Sequence, residues 1–285
     1  MMLEQTQASP EQLRAAVNRE FTRERSKRYR DIILSVLTPV LLLVLWELGA
    51  QLGWFDARLF SPPSVIFATG ATMIADGTLW DDVLPTVFRL LAGFALAAVF
   101  GVLAGLLMGV WRPVRAALGP LFTVLYAVPK VALLPLFLLI FGLNEIPRVF
   151  VVFIAVFFIV QINTLAGIVG VDARILESAR AYNATGPKLF WYVLLPGALP
   201  SIFTGLRVAA GLAIVVVVSV EFVAANNGLG FLIWNSWQLF QPATMYVGLI
   251  AVSIIGALTT GLIILADRLV LPWKYSNKPS RKRNR

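Results

Sequence analysis

The sequence predicts an all-α, polytopic membrane protein with six transmembrane helices. Hydrophobic residues make up 59% of the chain and charged residues 14%, whereas soluble domains average about 45–50% and about 25%. Six apolar runs are each long enough to cross a hydrocarbon core of roughly 30 Å, and they lack the period-2 alternation of membrane barrel strands. The six runs cover residues 32–52, 90–110, 121–143, 149–171, 202–225 and 245–266.

The distribution of Lys and Arg predicts which side of the membrane each loop occupies. Both tails and the loops after spans two and four carry 19 of the 24 basic residues, and only Arg58, Arg89 and Arg148 fall on the other side. Because basic residues concentrate on the cytoplasmic side, we expect both termini and the 171–200 loop to be cytoplasmic. The first tail is too polar for a cleaved signal peptide. We therefore predict a basic N-terminal tail (1–31), a membrane domain (32–270) and a basic C-terminal tail (271–285).

Charge and composition also exclude several kinds of function. The net charge of +9 comes from residues crowded beside the spans, which indicates contact with anionic lipid and not with nucleic acid, whose binding sites interleave basic and aromatic residues. The sequence has no Cys and no His, so disulfides, thiol chemistry, haem and the usual zinc ligand sets are excluded. We expect no metal site and no catalytic residues.

Two segments on the predicted outer side are too polar or too short to span. Residues 53–85 are expected along the outer interface, with one short helix at about 64–74 opened by a Pro-Pro-Ser sequence. Residues 226–243 are expected to form an outer interfacial helix or a re-entrant turn, with Trp234, Trp237 and Phe240 as interfacial aromatics.

Small residues recur every four positions along span two, which predicts a helix-packing face. A pore-lining stripe is the alternative. The stripe consists of Gly93, Ala97, Gly101, Gly105 and Gly109.

A few polar residues interrupt the apolar spans and are candidates for a solute pathway. Lys130 either faces the pathway or reaches the headgroups from a bent segment, since Pro129 and Pro135 each remove a helix hydrogen bond. The polar side chains of span four serve either helix-to-helix hydrogen bonds or substrate contact. The carboxylate of span five is paired, lines a wet cavity or reaches the interface, while Arg207 is expected to be an interfacial anchor. The pathway candidates are Lys130, Gln161, Asn163, Thr164 and Glu221.

The loop between spans four and five, residues 172–196, is patterned in a way that a plain connection is not. Apolar residues at helical spacing predict a short amphipathic helix from residue 172 to 182. Asn183 follows at a position where a left-handed backbone ends a helix. Gly186 and Pro187 then restart the chain as a helix, and Pro196 and Pro200 lead into span five. We expect a helix-break-helix element on the cytoplasmic side.

This loop resembles a family motif. The run Glu177-Ser178-Ala179, three residues, Asn183, nine residues and Val193-Leu194-Leu195-Pro196 is similar to the EAA-x3-G-x9-I-x-L-P loop of permease subunits of bacterial ABC-type importers. Ser178 and Asn183 depart from that motif. The resemblance covers roughly residues 35–270 and is closest to the branch that handles nitrate, sulfonates and taurine. It implies ATPase-coupling roles for Glu177, Ser178, Ala179, Asn183, Thr185, Gly186, Val193, Leu195 and Pro196.

The resemblance also implies a fold and a set of partners. It implies a type I importer-like homodimer in the inner membrane of a bacterium, which contacts cytoplasmic ATPase subunits through residues 172–192 and receives solute from an extracytoplasmic binding protein. The chain lacks a G-x-x-x-x-G-K-[ST] phosphate loop, so we expect no bound cofactor and ATP use by a partner chain. The alternative is a secondary transporter or channel, a class that usually has charges in several spans and broken helices in two corresponding halves.

Overall fold

The computed structural model describes residues 30–275 apart from 32, 36, 55 and 57. Of the predicted tails (1–31 and 271–285), residues 1–29 and 276–285 lie outside this part of the chain. Within the described residues every regular element is helical, as predicted. These residues form two compact units that divide between Phe67 and Ala68.

The first unit contains helix α1 (Ile33–Gln51) and the beginning of α2 (Pro63–Ala75). The predicted helix at 64–74 is confirmed, with Pro63 at a first-turn position that needs no hydrogen bond. The Glu47 carboxylate accepts hydrogen bonds from the Ser64 backbone N–H (2.9 Å) and hydroxyl (2.8 Å). These bonds satisfy a donor at the open end of α2 and tie it to the end of α1.

The second unit holds the remaining spans and four short helices. Its long helices are α3 (Thr78–Val110), α6 (Glu145–Val169), α9 (Leu195–Ala224) and α11 (Pro242–Val270). Its short helices are α7 (Ala173–Ala181), α8 (Gly186–Leu189), α10 (Leu229–Gln238) and α12 (Pro272–Tyr275). Helix α10 is the predicted short helix of the 226–243 segment. We call the end of this unit near residues 110, 170 and 195 the loop end, and the opposite end the far end.

Span three is a broken helix. Helix α4 (Arg112–Ala127) is followed by a 3-10 turn (Val131–Leu133) and α5 (Leu134–Phe141), and the two parts are bent by 86°. Pro129 has no N–H for a hydrogen bond to the preceding turn, so the helix cannot continue through this point. If the bent pair counts as one crossing, the described helices provide the six predicted spans.

Two predicted boundaries are wrong. Span two was expected to begin at residue 90, but α3 begins at Thr78 and has 33 residues, about 50 Å at 1.5 Å per residue. Its first three turns therefore extend beyond the apolar run, because their polar side chains find partners within the protein. The prolines of the loop were also expected to precede span five. Instead residues 186–224 form one continuous helix of 39 residues.

The core of the second unit lies between α3, α6 and α9. The predicted packing stripe of α3 faces α6: a Cβ added at Gly93, Gly101, Gly105 or Gly109 would lie 2.5–2.9 Å from atoms of α6. The packing of α9 on α6 is equally close, since a Cβ at Gly205 of α9 would lie 2.5 Å from Asn163 of α6. Missing side chains thus allow the three backbones to approach closely.

Candidate functional site

The helix-break-helix element has the backbone that its sequence predicts. The Asp172 side chain caps α7 by accepting a hydrogen bond from the Arg174 N–H (2.8 Å). At the other end Asn183 has a left-handed backbone (φ 59°), the Ala184 N–H donates to the Ala179 carbonyl (2.9 Å) and the Asn183 N–H donates to the Arg180 carbonyl (2.9 Å). This pair of bonds is the Schellman arrangement that ends helices.

The second half of the element runs directly into span five. Helix α8 starts at Gly186 (φ 53°) with Pro187 in its first turn, as predicted. A π-helical segment (Phe190–Leu194) then joins it to α9, with the Leu195 N–H bonded to the Phe190 carbonyl five residues back. This wider turn leaves room for the Pro196 ring, which an α-helical carbonyl would otherwise contact. No loop therefore separates α8 from α9.

The surface of the element is only partly covered by the chain. Of the predicted apolar face of α7, Leu176 and Ala179 are half-buried, whereas Ile175 is 55% and Tyr182 is 88% exposed. The motif residues divide into two groups. Exposed are Glu177, Ser178, Asn183, Thr185 and Gly186, and half-buried are Ala179, Val193, Leu195 and Pro196.

The polar residues of α6 do different things. The buried Gln161 amide reaches across to α3, where its N–H contacts the Met108 sulfur (3.2 Å). The Asn163 amide and the Thr164 hydroxyl instead donate to carbonyls of their own helix, at Ile159 and Val160 (2.8 Å each). Helix-to-helix bonding thus holds for Gln161, while Asn163 and Thr164 fit against glycines of the neighbouring helices.

Lys130 lies at the break of span three. Its ammonium donates to the carbonyls of Leu125 (3.1 Å), Tyr126 and Val128 (2.6 Å), so it neutralises the negative end of α4. The same ammonium lies 5.1 Å from the Tyr126 ring centre and 5.4 Å from that of Phe158. Phe158 is near the middle of α6, which places the charge at mid-length of the bundle and not at either end.

Glu221 belongs to a buried ion-pair network at the far end. All five N–H groups of the fully buried Arg89 are used: two bonds go to Glu145 (2.6 and 2.8 Å), one to Glu221 (2.7 Å) and two to Asn227 (2.9 and 2.6 Å). The Glu221 carboxylate also accepts from the Thr86 hydroxyl (2.9 Å) and the Gly230 N–H (2.8 Å). The carboxylate is therefore paired and enclosed within the protomer. That Glu221 belongs to the solute pathway stays a prediction.

The network also holds the beginning of α10 in place. The N–H groups of Gly228 and Leu229 donate to Asp82 and Thr86 (2.8 Å each). A Cβ at Gly228 would lie 2.6 Å from Glu221, so the tight contact requires glycine. Arg148 adds bonds to the Ala224 carbonyl (2.6 and 2.9 Å) and to Glu145 (2.8 Å). Three helices and α10 are thereby joined at one point.

The sequence reading missed this network because it placed Arg89 and Arg148 in loops. One available signal was that Arg89 directly precedes an apolar run, four residues before the first small residue of the packing stripe. An arginine at that register points to the same face as the stripe. Such a charge is expected to have a carboxylate partner in another span.

A second ion-pair cluster lies at the loop end. Arg207 of α9 donates to the fully buried Asp267 of α11 (2.7 Å), and Lys274 of α12 lies 3.2 Å from the same carboxylate. Arg207 was expected to be an interfacial anchor. The structure places it in a bond between two spans, with its side chain 39% exposed.

Comparison with known proteins identifies the family. Residues 97–272 match the model of the binding-protein-dependent transport system inner membrane component family. The chain is 32% identical to the Bacillus subtilis "Putative aliphatic sulfonates transport permease protein SsuC" (91% of this chain, 94% of that protein). It is 31% identical to the taurine transport system permease protein of Escherichia coli (86% and 90%) and 30% identical to the nitrate import permease protein of Synechocystis (85% and 90%).

A solved structure shares the fold. An inward-facing MetNI methionine ABC transporter superposes with a TM-score of 0.58 at 18% identity, over 67% of this chain and 95% of that one. The chain therefore belongs to the family of binding-protein-dependent transport system inner membrane components, and it is a multi-pass inner membrane permease subunit of an ABC-type importer.

Proposed function

We propose that this permease carries a small oxyanion, such as a sulfonate, taurine or nitrate, into the cytoplasm, and that residues 172–196 couple it to a separate ATPase. The second point is carried by one observation. Helix α7 ends at a fixed left-handed turn at Asn183, and the next helix continues without a loop into span five. A push on the loop element therefore reaches the membrane bundle.

The exposed surface of the element supports docking onto another protein. Ile175 (55%), Tyr182 (88%) and Trp191 (62%) are all exposed, although they lie in a segment that the charge distribution assigns to the cytoplasm. A nine-residue helix such as α7 is too short to be stable alone in water. Contact with a partner would cover its apolar side chains, and the exposed Glu177 of the same helix offers a partner a negative charge.

The relatives and one charge support the proposed solute class. The relatives are named for aliphatic sulfonates, taurine and nitrate, which are all oxyanions or carry an oxyanion group. Lys130 places an ammonium at mid-length of α6, where a positive charge lowers the energy of an anion in a medium of low dielectric constant. Lys130 thus favours anions over cations in the pathway.

The remaining parts of the proposal concern topology and partners. Both termini lie in the cytoplasm, and the far end with Glu221 faces outward, where a solute-binding protein delivers the solute. Two copies of the chain form the permease, with the surrounding lipid as its other contact and with no nucleic acid bound. The chain itself binds no cofactor, and ATP is hydrolysed by two copies of the partner ATPase.

Reconstitution tests the proposal. The purified permease is placed in proteoliposomes, alone or with its ATPase, ATP and a binding protein, and uptake of labelled taurine and nitrate is measured. We expect uptake of at least one solute only in the complete system. Uptake by the permease alone would contradict ATPase coupling, and ATP-dependent uptake of a cation but of neither anion would contradict the solute class.

A further inference from the structure

A cavity lies between α3, α4 and α6, in the loop-end half of the bundle. Its volume is about 210 Å³, which is room for several water molecules at roughly 30 Å³ each. Its walls combine apolar and polar side chains. They include Met108, Phe122, Thr123, Tyr126, Gln161 and Leu165.

The Gln161 amide lines this cavity and has fewer hydrogen-bond partners than it can use. A primary amide offers two N–H donors and a carbonyl acceptor. Gln161 is only 2% exposed, and its one hydrogen bond within the described residues goes to the Met108 sulfur, a weak acceptor. Buried polar groups in a membrane protein require satisfied hydrogen bonds. The remaining donor and acceptor capacity is therefore available to whatever occupies the cavity.

The electrostatic surroundings favour an anion as the occupant. Tyr126 forms part of the wall, and the Lys130 ammonium lies 5.1 Å from its ring centre. None of the described residues that line the cavity is charged, so Lys130 is outside the lining and adjoins it through Tyr126. An oxyanion would accept the free amide N–H of Gln161 while remaining near a positive charge that stays fixed on the end of α4.

We propose that this cavity is a solute subsite of the transport pathway, in which the Gln161 amide donates to an oxyanion oxygen and Lys130 supplies the nearby positive charge. The inference rests on the proposed function, because it assigns residues to the uptake of the same class of solute. It differs from a packing role for Gln161 by requiring that water and solute reach the cavity during the transport cycle.

Thiol labelling tests access and occupancy directly, since the chain has no cysteine. Thr123→Cys places a thiol in the cavity wall. Thr204→Cys is the matched control, because both threonines are exposed and both hydroxyls bond to their own helix, but Thr204 lies outside the cavity. The reagent is 2-sulfonatoethyl methanethiosulfonate, applied to the complete importer in proteoliposomes. We expect Thr123→Cys to react, Thr204→Cys not to react, and excess taurine or nitrate to slow the reaction of Thr123→Cys at least about fivefold.

Two results would overturn the inference. If Thr123→Cys stays unreactive throughout ATP turnover, the cavity is closed to water. If it reacts but neither solute slows it, the cavity holds water only. Uptake of taurine or nitrate by the wild-type importer is measured first. If neither solute is taken up, the proposed solute class is rejected. If uptake occurs but labelling or protection fails, only the assignment of the cavity as a subsite is rejected.

Uptake by two variants gives an independent measurement. Gly119 lines the cavity and a Cβ there meets nothing within 4 Å, so Gly119→Leu adds bulk at the cavity wall without a close contact to its Cβ. Gly261→Leu is the control, with equally open surroundings on α11. We expect Gln161→Leu to raise the KM for uptake about tenfold, the factor for losing a hydrogen bond to a charged group. Gly119→Leu should abolish most uptake, and Gly261→Leu should remain within about twofold. Wild-type kinetics in both cavity variants would contradict the subsite.

Discussion

Asn183 shows how one residue determines the shape of the loop element between spans four and five. Its φ of 59° ends α7 and sets the direction in which α8 leaves. Asparagine tolerates this left-handed conformation better than any other residue type except glycine. The family motif has glycine at this position, so asparagine preserves the backbone although the residue type changes.

Substitutions at Asn183 should separate backbone from side-chain effects. Asn183→Gly keeps the left-handed turn, and we expect uptake close to that of the wild type. Asn183→Val places a β-branched residue in a conformation that costs roughly 1–2 kcal/mol, so uptake should fall at least about fivefold. Uptake and recovery of the complex with the ATPase are measured together. Equal activity of both variants would show that the turn is not required.

The buried ion pair of Arg89 and Glu221 also shows the effect of single residues. Both side chains are fully buried and lie 2.7 Å apart. Removing one partner leaves an uncompensated charge in the interior, which costs roughly 3–5 kcal/mol. We expect Glu221→Gln and Arg89→Met each to lower the thermal unfolding midpoint in detergent.

The double variant serves as the control for this pair. Arg89→Met combined with Glu221→Gln removes both charges, so it should be more stable than the sum of the two single effects implies. Additive losses would mean that the two side chains act independently, contrary to the contacts that we describe.

At the scale of elements, the packing of α3 on α6 depends on the absence of side chains. A Cβ at Gly105 would lie 2.5 Å from Thr164 and 2.7 Å from the Gln161 carbonyl, whereas a Cβ at Gly261 of α11 meets nothing within 4 Å. Gly105→Val should therefore push the helices apart and destabilise the bundle by at least about 1–3 kcal/mol.

The matched variant Gly261→Val makes this prediction specific. It introduces the same side chain into a membrane helix without a close neighbour, so its unfolding midpoint should remain near that of the wild type. Both midpoints are measured by thermal unfolding in the same detergent. A Gly105→Val protein as stable as Gly261→Val would argue against the close packing.

Elements were predictable from the sequence where local chemistry determines them. The small-residue stripe, the proline break of span three and the Asn183 turn each follow from residues near one another in the chain. The beginning of α3 at Thr78 does not, because polar residues such as Asp82 and Thr86 become acceptable in a helix only through partners more than 130 residues away. The continuity of α8 and α9 depends on a π segment that no local sequence rule indicated.

At the scale of the whole molecule, two ion-pair clusters join the spans at opposite ends, and the loop element continues into one of the joined helices. Arg89 and Glu221 connect α3 to α9 at the far end, while Arg207 and Asp267 connect α9 to α11 at the loop end. Helix α9 is thus bonded to α3 through Glu221 near its far end and to α11 through Arg207 nearer its middle, and it continues as α8 at the loop end. The candidate coupling residues could be recognised because a motif contains them. The far-end network had no such motif and required the tertiary structure.

Coupling between ATP hydrolysis and uptake tests the central claim most directly. The ratio of solute taken up to ATP hydrolysed is measured for the complete importer with the wild-type permease, with Ala179→Pro, which breaks α7, and with Glu177→Lys, which reverses a charge on its exposed face. We expect both variants to insert normally and to lose most of this ratio, because the force from the ATPase no longer reaches α9. An unchanged ratio in both variants, with normal recovery of the complex, would contradict the account.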